Sequence, residues 1–190
     1  MDDSSTIRET TPQDAHAVQQ VPRVSWYAAQ DETMGEKAVE GTVDSWFAPE
    51  NVVADVNRDE RPFFVAKGNH GVVGFVIGVP DEEQEETFHL YRIYVHPDYW
   101  GNGVGTQLLE RFEEELRKRE TQVIRLSVIE PNETAISFCE SRGLERSREE
   151  ADERFDLFAV RHAKQLDWAM VDSINREPSV QEEKQVESGK

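Results

Sequence analysis

The stretch Ile-Tyr-Val-His-Pro-Asp-Tyr-Trp-Gly-Asn-Gly-Val-Gly-Thr-Gln-Leu-Leu, residues 93–109, decides how this chain is read. Ile93, Tyr94 and Val95 end a β-branched and aromatic run, and His96-Pro97-Asp98 stops it. Glycines follow at 101, 103 and 105. Then come Val104, Leu108, Leu109, Phe112 and Leu116, an apolar stripe at helical spacing that runs to about Arg119. Glycines between a strand and a helix permit positive φ and close approach of a ligand to the backbone. The first amides of a helix have no internal acceptor and lie at the positive end of its dipole. The turn therefore predicts an anion site, with phosphate the natural ligand. It is not a Walker A loop, because no Gly-Lys-Ser/Thr closes it. Nor is it the dinucleotide fingerprint Gly-x-Gly-x-x-Gly, since Thr106 stands where the third glycine belongs.

Working outward, residues 62–67 and 72–79 are apolar runs joined by Gly68-Asn69-His70-Gly71, which reads as a β-hairpin. Residues 81–86 form an acidic, solvated loop, and 88–95 a third strand of this region. Strict alternation would put His89, Tyr91, Ile93 and Val95 on one face and Leu90, Arg92 and Tyr94 on the other. These antiparallel elements also argue against a dinucleotide-binding βαβ unit. Upstream, Ile7 to Glu9 suits a short first strand. Thr11-Pro12-Gln13-Asp14 suits a helix start with Thr11 as cap, and residues 13–57 read as helical or irregular. Downstream, residues 123–129 read as a strand and 133–142 as a helix closed by Gly143. Strands near 145–148 and 155–161 flank an acidic turn at 149–153. A last helix is expected from Ala163, with Leu166, Met170 and Ile174 on one face, running into a polar tail at 176–190. The expected division is thus one domain at 1–162 and a helix with a mobile acidic tail at 163–190.

The chain has 190 residues, suited to a single domain with a small extension. No apolar stretch is long enough to span a bilayer, and the start shows no basic and apolar leader. Cys139 is the single cysteine, so an intrachain disulfide is impossible. A cytoplasmic setting is expected. Thirty-nine acids against 21 bases leave a net charge of −18. Such a surface repels nucleic acid and costs stability through self-repulsion. The acid-rich, lysine-poor balance resembles that of halophile proteins that work in molar salt. The five histidines show no short metal-ligand spacing, and the acidic runs lack the calcium-loop pattern. No metal is expected.

A second block, Glu130-Pro131-Asn132-Glu133-Thr134-Ala135-Ile136-Ser137-Phe138-Cys139-Glu140-Ser141-Arg142-Gly143-Leu144, follows the first in order. Together the two blocks are similar to the acetyl-CoA motif and the Asn-x-x-Ala-x-x-Phe-Tyr-x-x-x-Gly-Phe motif of the GCN5-related N-acetyltransferase (GNAT) superfamily. The resemblance covers about residues 62–161. It implies an α/β (α+β) fold, with a central mixed, mostly antiparallel sheet that splays between its fourth and fifth strands and is flanked by helices. It implies acetyl-CoA as co-substrate and transfer of its acetyl group to a primary amine, on a small molecule or a protein N-terminus or lysine. Strand groups near Ile93, Tyr94 and Val95 would meet the pantetheine arm. The amides of Gly101, Asn102, Gly103, Val104, Gly105 and Thr106 would cradle the diphosphate. Asn132 and Phe138 would lie along the same arm. A second copy of the chain is a further expected partner, and neither nucleic acid nor membrane is.

The chain departs from the pattern at two positions. Trp100 replaces the usual Arg or Gln ahead of the glycines, and Cys139 stands where the family often has a tyrosine that protonates the leaving thiolate. Cys139 is thus a candidate general acid, or else a small packing residue. His89 falls where the family often has a carboxylate and is a candidate base. Glu130 is a second candidate, and Tyr91 and Arg92 are candidates for lining the acceptor cleft. A rival reading is a domain that binds acyl-CoA without catalysis, as a sensor or partner module, and a third is a nucleotide-binding regulator. The charge itself makes a prediction. Raising KCl from ~0.1 M to ~2 M shortens the screening length several-fold, so the thermal unfolding midpoint is expected to rise; a flat or falling midpoint removes the salt-adaptation reading.

Overall fold

The computed structural model describes residues 5–29, 41, 43–129, 132–152 and 157–166. Seven strands form one sheet: β1 (Thr6–Glu9), β2 (Phe63–Gly68), β3 (Gly71–Pro80), β4 (Thr87–Val95), β5 (Val123–Ile129), β6 (Glu145–Asp152) and β7 (Leu157–Gln165), in the order β1-β2-β3-β4-β5-β7-β6. Every neighbouring pair is antiparallel except β4 and β5. The helices are α1 (Ala15–Ala29), α2 (Pro49–Val56), α3 (Val104–Lys118) and α4 (Glu133–Ser141).

The sheet separates two cores. On one face α3 lays Leu108, Leu109, Phe112 and Leu116 against Phe64, Val76 and Leu90, so the stripe expected from the sequence is the buried one. On the other face α1 and α2 bring Val18, Val21 and Val52 onto Phe63, Val65, Phe75 and Ile77. Residues 43–46 are also helical, and Phe47 just after them packs edge-on against Phe75 and Tyr94.

Two features of β4 position the site. The first is its parallel pairing with β5, which covers only Thr87, Phe88 and His89 opposite Val123, Ile124 and Arg125. Beyond His89 the strands part, while β5 stays paired with β7 along its whole length. The second is a bulge. Ile77 pairs with Arg92 and Gly78 with Leu90, which leaves Tyr91 as an extra residue in β4. The bulge overturns the strict alternation expected from the sequence. Phe88 and Leu90, then Ile93 and Val95, face the α3 core, whereas Tyr94 faces the α1 core. His89 therefore shares its face with Arg92 and Tyr94 rather than with Ile93 and Val95.

The C-terminal part differs from expectation as well. Glu149 and Glu150, expected in a turn, pair with Val160 and Ala159 as part of β6. An edge strand needs a backbone partner on one side only, so acidic residues are compatible with it. Gln165 and Lys164 pair with Val123 and Ile124, so residues 163–165 are strand rather than the start of a helix, and the expected boundary at 162 falls inside β7. Leu166 is buried, and its amide donates to the Gln122 carbonyl (2.8 Å). Met170, Ile174 and the expected tail lie outside the described residues, as does Glu130.

The turn before α1 is tied to β1 by charge. Both terminal nitrogens of Arg8 donate to the Asp14 carboxylate at 2.7 Å, and the Thr11 amide and hydroxyl donate to it at 2.9 and 2.8 Å. The Arg8 bonds lead in lowering the Asp14 pKa from 3.8 to about 2. A carboxylate with a depressed folded-state pKa stabilises the fold above its unfolded pKa, and that stability is lost as pH falls through the folded one. Asp14→Asn is expected to destabilise by about 2 kcal/mol at neutral pH. The deficit should shrink between about pH 4 and pH 2, measured by urea unfolding at several pH values; a deficit independent of pH would contradict the linkage.

Candidate active site

Where β4 and β5 part, a cavity of about 520 Å³ opens, a size in the range of small-molecule sites. Its floor is backbone. His96 N–H donates to the Val73 carbonyl (2.8 Å), so the alternate residues Ile93 and Val95 turn their own N–H and C=O groups away from β3 and into the gap. Leu126 and Val128 of β5 form the opposite wall. Tyr94 also borders the cavity, while its hydroxyl accepts from the Trp26 indole N–H (2.8 Å) on the α1 side.

At the end of β4 the chain turns through Gly101 (φ +76°) and Gly103 (φ +80°), conformations that L side chains rarely adopt. This geometry aims the start of α3 at the cavity. The first α3 carbonyl bond runs from Gln107 N to Gly103 O (3.0 Å), so the amides of Val104, Gly105 and Thr106 have no helical acceptor. All three residues line the cavity with Gly101 and Gly103, and the first turn of α3 holds no acid. Asn102 is not among the lining residues; its amide closes a bend onto the Tyr99 carbonyl (3.4 Å).

The third wall is α4. Asn132 caps it, its side-chain oxygen accepting from Ala135 N–H (3.0 Å), and it borders the cavity with its NH₂ group lacking a protein acceptor among the described residues. Phe138 also lines the cavity, and its ring lies 3.2 Å from where a Cβ on residue 105 would sit, so α4 packs directly on the start of α3.

This is a groove between parted parallel strands, with free amides at one end. The sequence profile of the acetyltransferase (GNAT) family matches residues 22–144. The chain belongs to the GNAT family. It is 35% identical over 94 residues to an uncharacterized N-acetyltransferase of Methanocaldococcus jannaschii; the match covers 47% of this chain and 42% of that relative, less than half its length. The fold is similar to that of the PaiA N-acetyltransferase of Thermoplasma acidophilum, solved in complex with coenzyme A (TM-score 0.73, 22% identity, 85% of this chain and 99% of that one). It is also similar to the ribosomal-protein-S18-alanine N-acetyltransferase of Escherichia coli (TM-score 0.61, 21% identity, 86% of this chain and 95% of that one).

Against the GNAT motif, Trp100 does not obstruct the turn. Its indole N–H donates to the Val95 carbonyl (2.7 Å), which also lies 2.9 Å from the Ser25 hydroxyl of α1. One of the carbonyls facing the gap is thus satisfied by the protein, and Trp100 becomes part of the cavity rim. Nothing in the motif pointed to Ser25, Trp26 or Tyr99, which come from α1 and the bend after β4. Arg142, also unanticipated, borders the cavity at the end of α4.

The three candidate acid–base residues separate. His89 does not line the cavity. It sits where β4 and β5 still pair, with its Nε2 2.7 Å from Asp81 Oδ2. Asp81 is held in turn by the Glu83 and Gln84 amides, and the Glu83 amide followed by His89 lowers its pKa. Cys139 does border the cavity but is buried, and burial first, then Glu140, pushes its thiol up to about 12. Giving its proton to an ordinary thiolate, with a pKa of about 8.5, would be uphill by about 5 kcal/mol. Its burial suits the packing alternative better than the general-acid one. Glu130 lies outside the described residues, so the described cavity wall holds no Asp, Glu or His. One measurement checks the assignment of Cys139. Ellman's reagent at about pH 8 is expected to leave the folded protein unlabelled over minutes and to titrate the single thiol in urea; rapid native labelling would show an accessible thiolate.

Proposed function

We propose that this chain is an acetyl-CoA-dependent N-acetyltransferase that acetylates a primary amine by direct attack. One observation carries the reading: the acceptor-free amides of Val104, Gly105 and Thr106 stand at one end of a gap whose floor offers unpaired backbone groups at Ile93 and Val95. A diphosphate suits the first feature and an amide-containing arm the second. The coenzyme A bound by the Thermoplasma acidophilum neighbour is consistent with both.

Acetyl-CoA would supply an activated acyl carbon, to which the amine nitrogen bonds as the thiolate departs with the C–S electron pair. The chain's own residues do the rest. The amides of Val104, Gly105 and Thr106 bind the diphosphate, and Gly101, Gly103 and Asn102 shape the turn that presents them. The N–H groups of Ile93 and Val95 hold the arm parallel to β4 and are placed to donate to a carbonyl oxygen as it gains charge. Asn132 donates from its NH₂ group, and Phe138 covers the arm from α4. The proton lost by the attacking amine passes to water entering the open gap, since the described wall offers no carboxylate or imidazole. Glu130, next to the cavity-lining Asn132 stretch in sequence, is proposed as the carboxylate that relays it. A cytoplasmic setting belongs to the same proposal; no described helix is long and apolar enough to cross a membrane.

The second reading is an acyl-CoA sensor, favoured by the lack of a carboxylate or imidazole on the described wall. A single experiment separates them: thiol release from acetyl-CoA over a panel of amines, alongside calorimetry with CoA in concentrated KCl. The expected result is amine-dependent release, with CoA binding weakened at least about tenfold in Gly103→Val, where a β-branched residue cannot hold φ +80° without strain. Binding without turnover across the panel would favour the sensor, and no binding at all would overturn both.

A further inference from the structure

The cavity's charge is opposite to that of the molecule. In a chain of net charge −18, its two charged lining residues among those described are arginines, Arg92 and Arg142. Many other arginines are paired: Arg8, Arg61, Arg111, Arg117, Arg119 and Arg125 each hold an Asp or Glu. Arg92 and Arg142 hold none among the described residues. They mark the two ends of the gap. Arg142 also borders a small depression with Thr106, at the start of α3. Arg92 lies at the bulge, three residues back along β4 from Val95, so on the order of 10 Å away at about 3.3 Å per residue.

Arg142 is accounted for by the phosphates of the proposed co-substrate; Arg92 is not. The bulge turns its side chain to the α1 face, where the guanidinium carbon lies 4.4 Å from the Phe47 ring centre, 4.3 Å from Tyr91 and 5.4 Å from Trp46. Stacking of this kind holds a guanidinium rigid through its faces and leaves the rim of N–H donors for a ligand. Of five such donors, the one that bonds a described residue is Nη2, to the Tyr91 hydroxyl (3.2 Å). A stacked guanidinium fork that no described acid pairs, beside a site, suits a planar carboxylate, which it binds bidentately.

We infer that Arg92 recognises a carboxylate on the acceptor, so that the amine this site takes is a carboxylate-bearing one: a free amino acid, or a peptide with an acidic side chain near its amine. The inference rests on the acetyltransferase reading above and narrows its acceptor. The same positive charge disfavours the ammonium form of a nearby amine, which raises the share of neutral nucleophile where the described wall holds no carboxylate or imidazole.

The test compares matched acceptors that differ only in charge. Alanine against alaninamide probes a free α-carboxylate, and the peptide amides Ala-Asp-Ala against Ala-Asn-Ala probe an acidic side chain. The amide's amine is the less basic of the first pair, so its intrinsic reactivity opposes the expected preference. In the wild type, kcat/KM is expected to favour the carboxylate member of at least one pair by roughly tenfold or more. Arg92→Gln should collapse that ratio toward unity, and Arg92→Lys should retain part of it, with thermal midpoints verifying that both fold. A ratio near unity for both pairs in the wild type, or a ratio unchanged in Arg92→Gln, overturns the inference. A parallel titration of the CoA-loaded protein with N-acetylalanine and the neutral N-acetylalaninamide, followed by tryptophan fluorescence, reads the same anion site without turnover. If no amine is acetylated, the acetyltransferase reading fails by itself. Tighter binding of the charged ligand, lost in Arg92→Gln, would then still support the anion site, and equal binding of both ligands would sink it.

Discussion

Everything in the site follows from where β4 stops pairing with β5. Three residue pairs, ending at His89 and Arg125, join the two strands, and past that point each has one free edge. Free backbone donors and acceptors in a protein interior are costly unless something satisfies them. β7 pairs the outer edge of β5 from Val123 to Ile129, and β3 pairs the outer edge of β4, so neither partner reaches the groups that face the gap. The unpaired groups at Ile93 and Val95 must therefore face water, protein side chains or a ligand. Trp100 and Ser25 take the Val95 carbonyl, and the remaining groups define what the gap can hold.

The closed end of the gap is pinned as deliberately as the open end is kept apart. Asp81 accepts from two amides of its own loop and meets His89 of β4, and it lies 3.7 Å from the Arg125 guanidinium of β5. Arg125 also donates to Gln84 (2.9 Å). A loop that looks merely solvated by composition thus ties the two strands together just before they separate. At the other end, α4 rests on α3 where Phe138 meets Gly105.

The features legible in the sequence were those with a period or a conformational requirement. The α3 stripe, the β2–β3 hairpin and the glycine turn each follow from spacing, and the structure has all three. What stayed hidden lacks a local signature. The Tyr91 bulge inserts one residue into an unbroken β-like run, so nothing in that run announces that His89 and Ile93 face opposite sides. β6 carries acids because it is an edge, and composition alone reads acids as a turn. Ser25 and Phe47 reach the site or its rim from segments with weak periodicity, placed by tertiary packing rather than by propensity. Cys139 was visible as a departure from the family pattern, but its role depends on burial, which a single sequence does not display.

The charge pattern gives a reason for the proposed anion site to lean on the backbone. Exposed ion pairs contribute little individually and weaken as salt rises. In a chain with 39 acids, a lysine-rich phosphate site would also be drawn into pairing with its neighbours. Peptide amides cannot be neutralised in that way. Their hydrogen bonds act at contact distance, where a screening length of roughly 3 Å in molar salt removes little. The arginines that do serve the cavity escape pairing by different means. Arg142 stands at the end of α4 beside the cavity, and Arg92 is held by aromatic faces that carry no formal charge. Among the described residues, the charged lining of the cleft is thus positive in a strongly negative protein, with Arg92 held by aromatic faces rather than by an acid.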